Sequence, residues 1–256
     1  MSSIPNDMLP ANDIIALSLI IFIASLVRGF TGFGLALVAV PLIQFFLPVS
    51  DTAVFIALVN ICFSLLYFRR SKRFIKGQPI GIMALWTGAG VAAGTVILKF
   101  VNPAYIQLVW GVLILLIVVA LIRGMNFGIR SERSAFRLSG MLGGILAGAT
   151  GITGPPVAII LSSIKTPKEK FGAVLSLFIL FAVSFAFVFY YAAGLIHVRT
   201  LLLALTTIPA MLAGLYIGGR LVSRINQKTF TAVIYVVLVI MGIITLYKGT
   251  KTLLLF

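Results

Sequence analysis

The sequence predicts an all-α polytopic membrane protein made of two inverted repeats, each a broken helix folded as a helical hairpin and followed by three transmembrane helices. Three observations lead there. Hydrophobic residues make up 61% of the 256-residue chain and charged residues only 10%, with a mean hydropathy of +1.19; soluble domains carry roughly 25% charged residues. Two glycine-rich interruptions, Thr31-Gly32-Phe33-Gly34 and Thr150-Gly151-Ile152-Thr153-Gly154-Pro155-Pro156, lie 119 positions apart in otherwise apolar sequence. The basic residues gather in short loops between apolar runs, where they read as topology determinants.

The first repeat, 1–122, opens with a hairpin over 13–47, its pieces at about 13–28 and 35–47 separated by the first interruption. Glycine frees the backbone and proline removes a donor, so the helix must break there. Pieces of 10 to 13 residues cover only about 15–20 Å, too little to cross a bilayer. Apolar runs at 52–68, 79–98 and 104–122 follow, each near the length of about 20 residues that a crossing requires. A basic cytoplasmic linker, 123–137, leads to the second repeat, 138–256. Its hairpin covers 138–164, with pieces at 138–149 and 155–164, and its crossings fall at 171–193, 200–219 and 229–247. Displaced by 119, Gly29-x-Thr31-Gly32 falls on Gly148-x-Thr150-Gly151 and Pro48 on Pro167; Gly90-x-x-x-Gly94 matches Gly214-x-x-x-Gly218 at 124, and Arg123-Gly124 matches Lys248-Gly249 at 125.

With hairpins, three crossings separate the halves and the second is inverted. Fifteen cations then face the cytoplasm, in 69–76, 123–137, 165–170 and 220–228, against Lys99, Arg199, Lys248 and Lys251 outside. If each broken segment crossed once, the count would be 12 against 7. The positive-inside rule selects the inverted arrangement.

Chemistry is expected at the two breaks. Helix N-termini offer unpaired N–H groups and a partial positive charge, which suits an anion. Such helices start at Leu35 and near Pro155, where a proline loses no bond. The candidate substrate-binding residues are Arg28, Gly29, Thr31, Gly32, Phe33 and Gly34 from the first break and Thr150, Gly151, Thr153, Gly154, Pro155 and Pro156 from the second. Gln44, Asn60, Ser64 and Ser162, polar within apolar runs, are candidate pathway-lining residues. Gly90, Gly94, Gly140, Gly144, Gly148, Gly214 and Gly218 read as close-packing positions. Asp51 reads as a helix cap and His197 as a solvated loop residue.

Other classes find little support. The net charge of +15 belongs to the loops, so no nucleic-acid partner is expected. Cys62 is alone, which rules out an internal disulfide or thiolate metal site, and no nucleophile, acid–base set or metal cluster suggests an enzyme or cofactor. None of Asp7, Asp13, Asp51, Glu132 and Glu169 falls inside a predicted span, so a carboxylate proton relay has no obvious members. The N-terminus lacks a basic n-region and reads as no signal peptide.

Arg28-Gly29-Phe30-Thr31-Gly32-Phe33-Gly34 followed by Pro41, and Gly148-x-Thr150-Gly151-x-x-Gly154-Pro155-Pro156, together with the duplicated layout, resemble the sulfite exporter TauE/SafE family of membrane permeases. The resemblance covers nearly the whole chain and departs at Phe33, since many members carry a more glycine-rich first motif than Gly32-Phe33-Gly34. It implies a bacterial inner-membrane transporter for a sulfur-containing anion such as sulfite or a sulfonate. The expected function is export of such an anion by alternating access around a site at mid-membrane. An uptake permease or channel for the same anions, and a non-transporting scaffold, are the other readings. The expected partners are the small anion and the lipid bilayer, and the small-residue stripes are compatible with a homodimer.

Overall fold

The computed structural model describes residues 11–32, 34–71, 79–123, 129, 131–164, 166–221 and 227–254. Phe33 and the loop cations Lys72, Arg73, Lys76, Arg130, Lys165 and Arg224 lie outside them, as does the side chain of Thr31. Among the described residues the chain is all helix, without a strand. The first half comprises α1 (Ala11–Thr31), α2 (Leu35–Ile43), α3 (Val49–Ser71), α4 (Ile80–Phe100) and α5 (Pro103–Ile122). The second comprises α6 (Glu132–Thr150), α7 (Pro155–Ser163), α8 (Lys168–Ala193), α9 (Val198–Leu221) and α10 (Gln227–Leu254). Six of these, α1, α4, α5, α8, α9 and α10, contain stretches long and apolar enough to cross a membrane; the apolar part of α3 is the shorter Val49–Leu65.

Each broken unit pairs one long arm with one short one, where the sequence reading has mostly short pieces. At about 1.5 Å per residue, the 21-residue α1 covers about 30 Å, a length suited to a crossing, whereas the nine-residue α2 covers about 13 Å. In the second unit the long arm begins at Glu132, inside the stretch read as linker. Charges at Glu132, Arg133 and Arg137 end the hydropathic signal but not the helix, and Glu132 in the first turn favours the positive end of the helix dipole. The short arms also stop early. Phe45, Phe46 and Leu47 turn their amides back onto Leu42 and Ile43 before Pro48, which has no amide to continue the helix. The last helix continues to Leu254, past the expected 247.

The breaks close in similar ways. Gly32 (φ 80°) and Gly151 (φ 77°) adopt the left-handed conformation, and their amides return to Arg28 O at 2.7 Å and Ala147 O at 2.8 Å. That is a glycine-terminated helix end, open to a residue without Cβ. The short helices α2 and α7 then start at Leu35 and Pro155.

Packing joins the halves rather than separating them. α1 lies on α9 as α6 lies on α4; α10 meets α2 as α5 meets α7; α3 faces α8, and α5 faces α10. Exchanging the halves therefore leaves these pairings unchanged. Both long contacts are parallel: Phe22 and Leu26 meet Gly214 and Gly218 in turn, and Met83, Thr87 and Val91 meet Gly140, Gly144 and Gly148. A Cβ on Gly144 would stand 2.6 Å from Thr87 O, and one on Gly140 2.8 Å from Met83 O. Small residues let the backbones approach this closely where hydrocarbon supplies no hydrophobic drive between helices. The packing expected of Gly90, Gly94, Gly140, Gly144, Gly148, Gly214 and Gly218 is thus internal, and the stripes are not open faces for a second copy.

Helices α3 and α8 carry long buried segments, Ala53–Val59 apart from its half-buried Leu58, and Ala173–Ile179, and the short α2 is buried over Leu35–Pro41 and at Ile43. Large apolar side chains stand outward around this centre, including Leu85 at 72% and Tyr191 at 79% exposure, as expected of a surface solvated by lipid. A test of the packing compares two alanines. Gly94→Ala places a Cβ against Ile145 and Ala149, whereas Gly81→Ala meets nothing within 4 Å. Thermal unfolding in detergent should show Gly94→Ala destabilised by about 2 kcal/mol and Gly81→Ala at or above the parent.

Candidate functional site

Both breaks open onto one small cavity. Its walls are Arg28 from the end of α1, Gly34, Leu35, Ala36 and Leu37 from the start of α2, and Ile152, Thr153, Gly154 and Pro155 from the second break. Asn60 and Ile179, each close to the midpoint of its helix (α3 and α8), complete it. The volume is about 10 Å³, room for about one water.

Arg28 lies on the last turn of α1 and is 2% exposed. It donates to Asn60 Oδ1, and its guanidinium stacks 3.6 Å from the centre of the Phe63 ring. Asn60 is itself buried, and its Nδ2 has no acceptor among the described residues. A donor left over on a cavity wall is what an anion would use.

The two helix starts are unequal. Gly34 (φ 107°) gives α2 no side-chain cap, so the amides of Leu35, Ala36 and Leu37 have no helical acceptor; Val38 is the first to bond back, to Gly34 O at 3.2 Å. In α7, Pro155 and Pro156 have no amides, and Ala158 already bonds to Gly154 O at 3.0 Å. Val157 alone in that first turn retains a free amide, with Thr153 and Gly154 just before it. The positive potential is therefore concentrated on the α2 side, next to Arg28. No carboxylate is among the wall residues, so the arrangement favours a negative guest.

Of the sequence candidates, Arg28, Gly34, Thr153, Gly154, Pro155 and Asn60 meet at this cavity. Others are placed differently. Gly29 is a packing residue: a Cβ there would lie 2.7 Å from Leu215 O of α9. Thr150 donates to Leu146 O at 2.7 Å in its own helix, and Gly151 abuts Ala53 of α3. Pro156 faces a separate apolar groove between α5, α6 and α7. Gln44 stands at the far end of α2, accepting from Gln107 Nε2 at 3.2 Å. Ser162 is exposed and returns its hydroxyl to Ala158 O at 2.8 Å. Ser64, one turn beyond Asn60, is buried with no partner among the described residues. Gly32 is outside the cavity walls, Phe33 is outside the described residues, and of Thr31 only the backbone is described. Outside the candidate list the cavity also takes Leu35, Ala36, Leu37, Ile152 and Ile179, apolar residues in apolar surroundings whose side chains carry no distinguishing signal.

The end of the molecule holding the start of α3 shows one more cluster. Asp51 Oδ1 lies 2.9 Å from His197 Nδ1 and accepts from Thr200 Oγ1 at 3.1 Å. Asp51 thus ties α3 to α9 rather than capping a helix, and His197, though 59% exposed, has a partner. Among the described residues no group of His, Cys, Asp and Glu is suited to a metal ion.

Comparison with known proteins adds identity to this geometry. The family model described as "Sulfite exporter TauE/SafE" matches residues 17–245. Over 220 residues the chain is 23% identical to a Cupriavidus necator protein called "Probable sulfite/organosulfonate exporter TauE", covering 83% of this chain and 85% of that one. No solved structure matches.

Asn60→Leu removes the acceptor of a buried guanidinium. It should lower stability by about 2 kcal/mol, read as a fall in melting temperature, whereas Ser162→Ala on the exposed side of α7 should leave it unchanged.

Proposed function

We propose a transport function for a chain that belongs to the sulfite exporter TauE/SafE family: it carries a small sulfur-containing anion, such as sulfite or a sulfonate, out across the bacterial inner membrane. As a family member with six helices suited to crossing, the chain is a multi-pass membrane protein of a transporter family. The observation that carries the proposal is the shared cavity, where Arg28, Asn60 and the α2 amides meet the second break. Unwound backbone is tolerated in hydrocarbon only where it is buried or lines a cavity, and Gly34, Ile152, Thr153 and Gly154 line this one.

The helix contacts support inverted repeats. Let α3 start on face X. Three crossings by α3, α4 and α5 bring α6 to start on the opposite face, Y. If α6 and α7 form a hairpin, α8 returns the chain to X, and His197 comes out beside Asp51. If α6 and α7 cross once, His197 comes out on Y. The 2.9 Å contact between them supports the hairpin. Parallel packing of α1 on α9 starts α1 on X as well, since α9 begins there. Face Y then carries Arg123, Arg133, Arg137 and Arg220 and is the cytoplasmic side by charge.

The closed cavity supports alternating access over an open channel: an oxyanion larger than one water enters only when the walls move. An anion leaving a negative-inside cell gains about 2.3 kcal/mol per charge per 100 mV, so export needs no coupling ion. The moving parts are not the sequence halves, because α1 packs on α9 and α4 on α6.

The test is counterflow of radiolabelled sulfite or sulfoacetate in proteoliposomes. Arg28→Gln and Gly154→Leu, confirmed folded by size-exclusion profile, should each lower the rate at least tenfold. Parent rates in both variants would eliminate this site. Conductance far above carrier turnover would turn the reading to a channel.

A further inference from the structure

Half-helix α2 carries the cavity at one end and a half-buried cation at the other. Its first turn supplies Leu35, Ala36 and Leu37 to the wall. At its C-cap, Lys248 of α10 donates from Nζ to Gln44 O, and the same ammonium lies 4.4 Å from the centre of the Phe45 ring. Gln107 of α5 binds the Gln44 side chain at 3.2 Å. A cation belongs at the negative end of a helix, where carbonyls lack amide partners. Nine residues form a rigid lever, so whatever fixes the C-terminal end of α2 also sets its amides against Arg28.

The other half lacks the same arrangement. Arg123, the residue that aligns with Lys248, is exposed at the end of α5. An apolar groove of about 580 Å³ runs there between α5, α6 and α7, lined by Leu113, Leu116, Leu142, Ile145, Pro156 and Ile160 among others. One half-helix is held down and its counterpart stands beside open space.

We infer that Lys248 is a positioning residue, a latch on the C-terminal end of α2 that keeps the cavity closed towards the face bearing Asp51 and His197. Release of Nζ from Gln44 O frees α2 to swing and opens the cavity to that face. The inference rests on the reading that the walls move to admit an anion, but its measurement needs no substrate.

The experiment places Thr153→Cys in the cavity wall of a Cys62→Ser protein reconstituted in vesicles of known orientation. Labelling by a membrane-impermeant maleimide is timed separately from each face. With Lys248 intact, labelling from the Asp51 face is slow. Lys248→Met should raise that rate at least fivefold and lower the rate from the opposite face; Lys248→Arg, which keeps the cation, should restore the slow rate. Gln107→Leu offers a second route, with a smaller rise, if Lys248→Met fails to fold. An unchanged rate, or an equal rise from both faces, would overturn the latch and leave Lys248 as a plain structural tie. Absence of counterflow in the parent would sink the transport reading without touching the labelling result.

Discussion

A backbone that unwinds inside hydrocarbon must have its amides and carbonyls surrounded by protein, and most of this architecture follows from that requirement. Each break presents polar groups that lipid cannot satisfy. The chain meets the demand by bringing parts of both breaks, Gly34 from the first and Ile152, Thr153, Gly154 and Pro155 from the second, to one cavity between the midpoints of α3 and α8, where Asn60 and Ile179 close the space. The burial explains why α2 and α7, with the middles of α3 and α8, are enclosed while the remaining spans keep broad apolar faces outward. It also concentrates partial positive charge next to a buried guanidinium, an arrangement that an anion relieves.

The glycine stripes serve the same end. Without a hydrophobic drive between helices in lipid, long arms are held by close backbone approach. Gly214 and Gly218 fix α9 along α1, and Gly140, Gly144 and Gly148 fix α6 along α4. The tips of α1 and α6 are thereby set by helices of the opposite half. The precision of the site comes from this outer packing as much as from the residues that touch the cavity.

Much of this was legible in the sequence. Composition fixed the class, and the two motifs located both breaks, because Gly and Pro state their backbone consequences locally. Arg28, Gly34, Asn60, Thr153, Gly154 and Pro155 reached the cavity because a polar or conformationally special residue in an apolar run needs a reason. Helix length was less visible: Glu132–Arg137 look like a loop by hydropathy, yet charged residues extend α6 by exposing their side chains at its end. Gly29 and Thr150 sit in the right motifs but are taken by packing and by a bond within the helix. Such assignments depend on which neighbour arrives, and no local pattern carries that. Ile152 and Ile179 illustrate the limit, since side chains without polarity reveal their place only in three dimensions.

The contact of α1 with α9 has a consequence for biogenesis. Helix α1 leaves the ribosome long before α9 and finds its glycine-lined seat only once that later helix has been made. Until then its inner face stays solvated by lipid or held by the insertion machinery, and the Arg28 guanidinium waits without its final enclosure. Assembly is therefore late and concerted, with neither half able to mature alone.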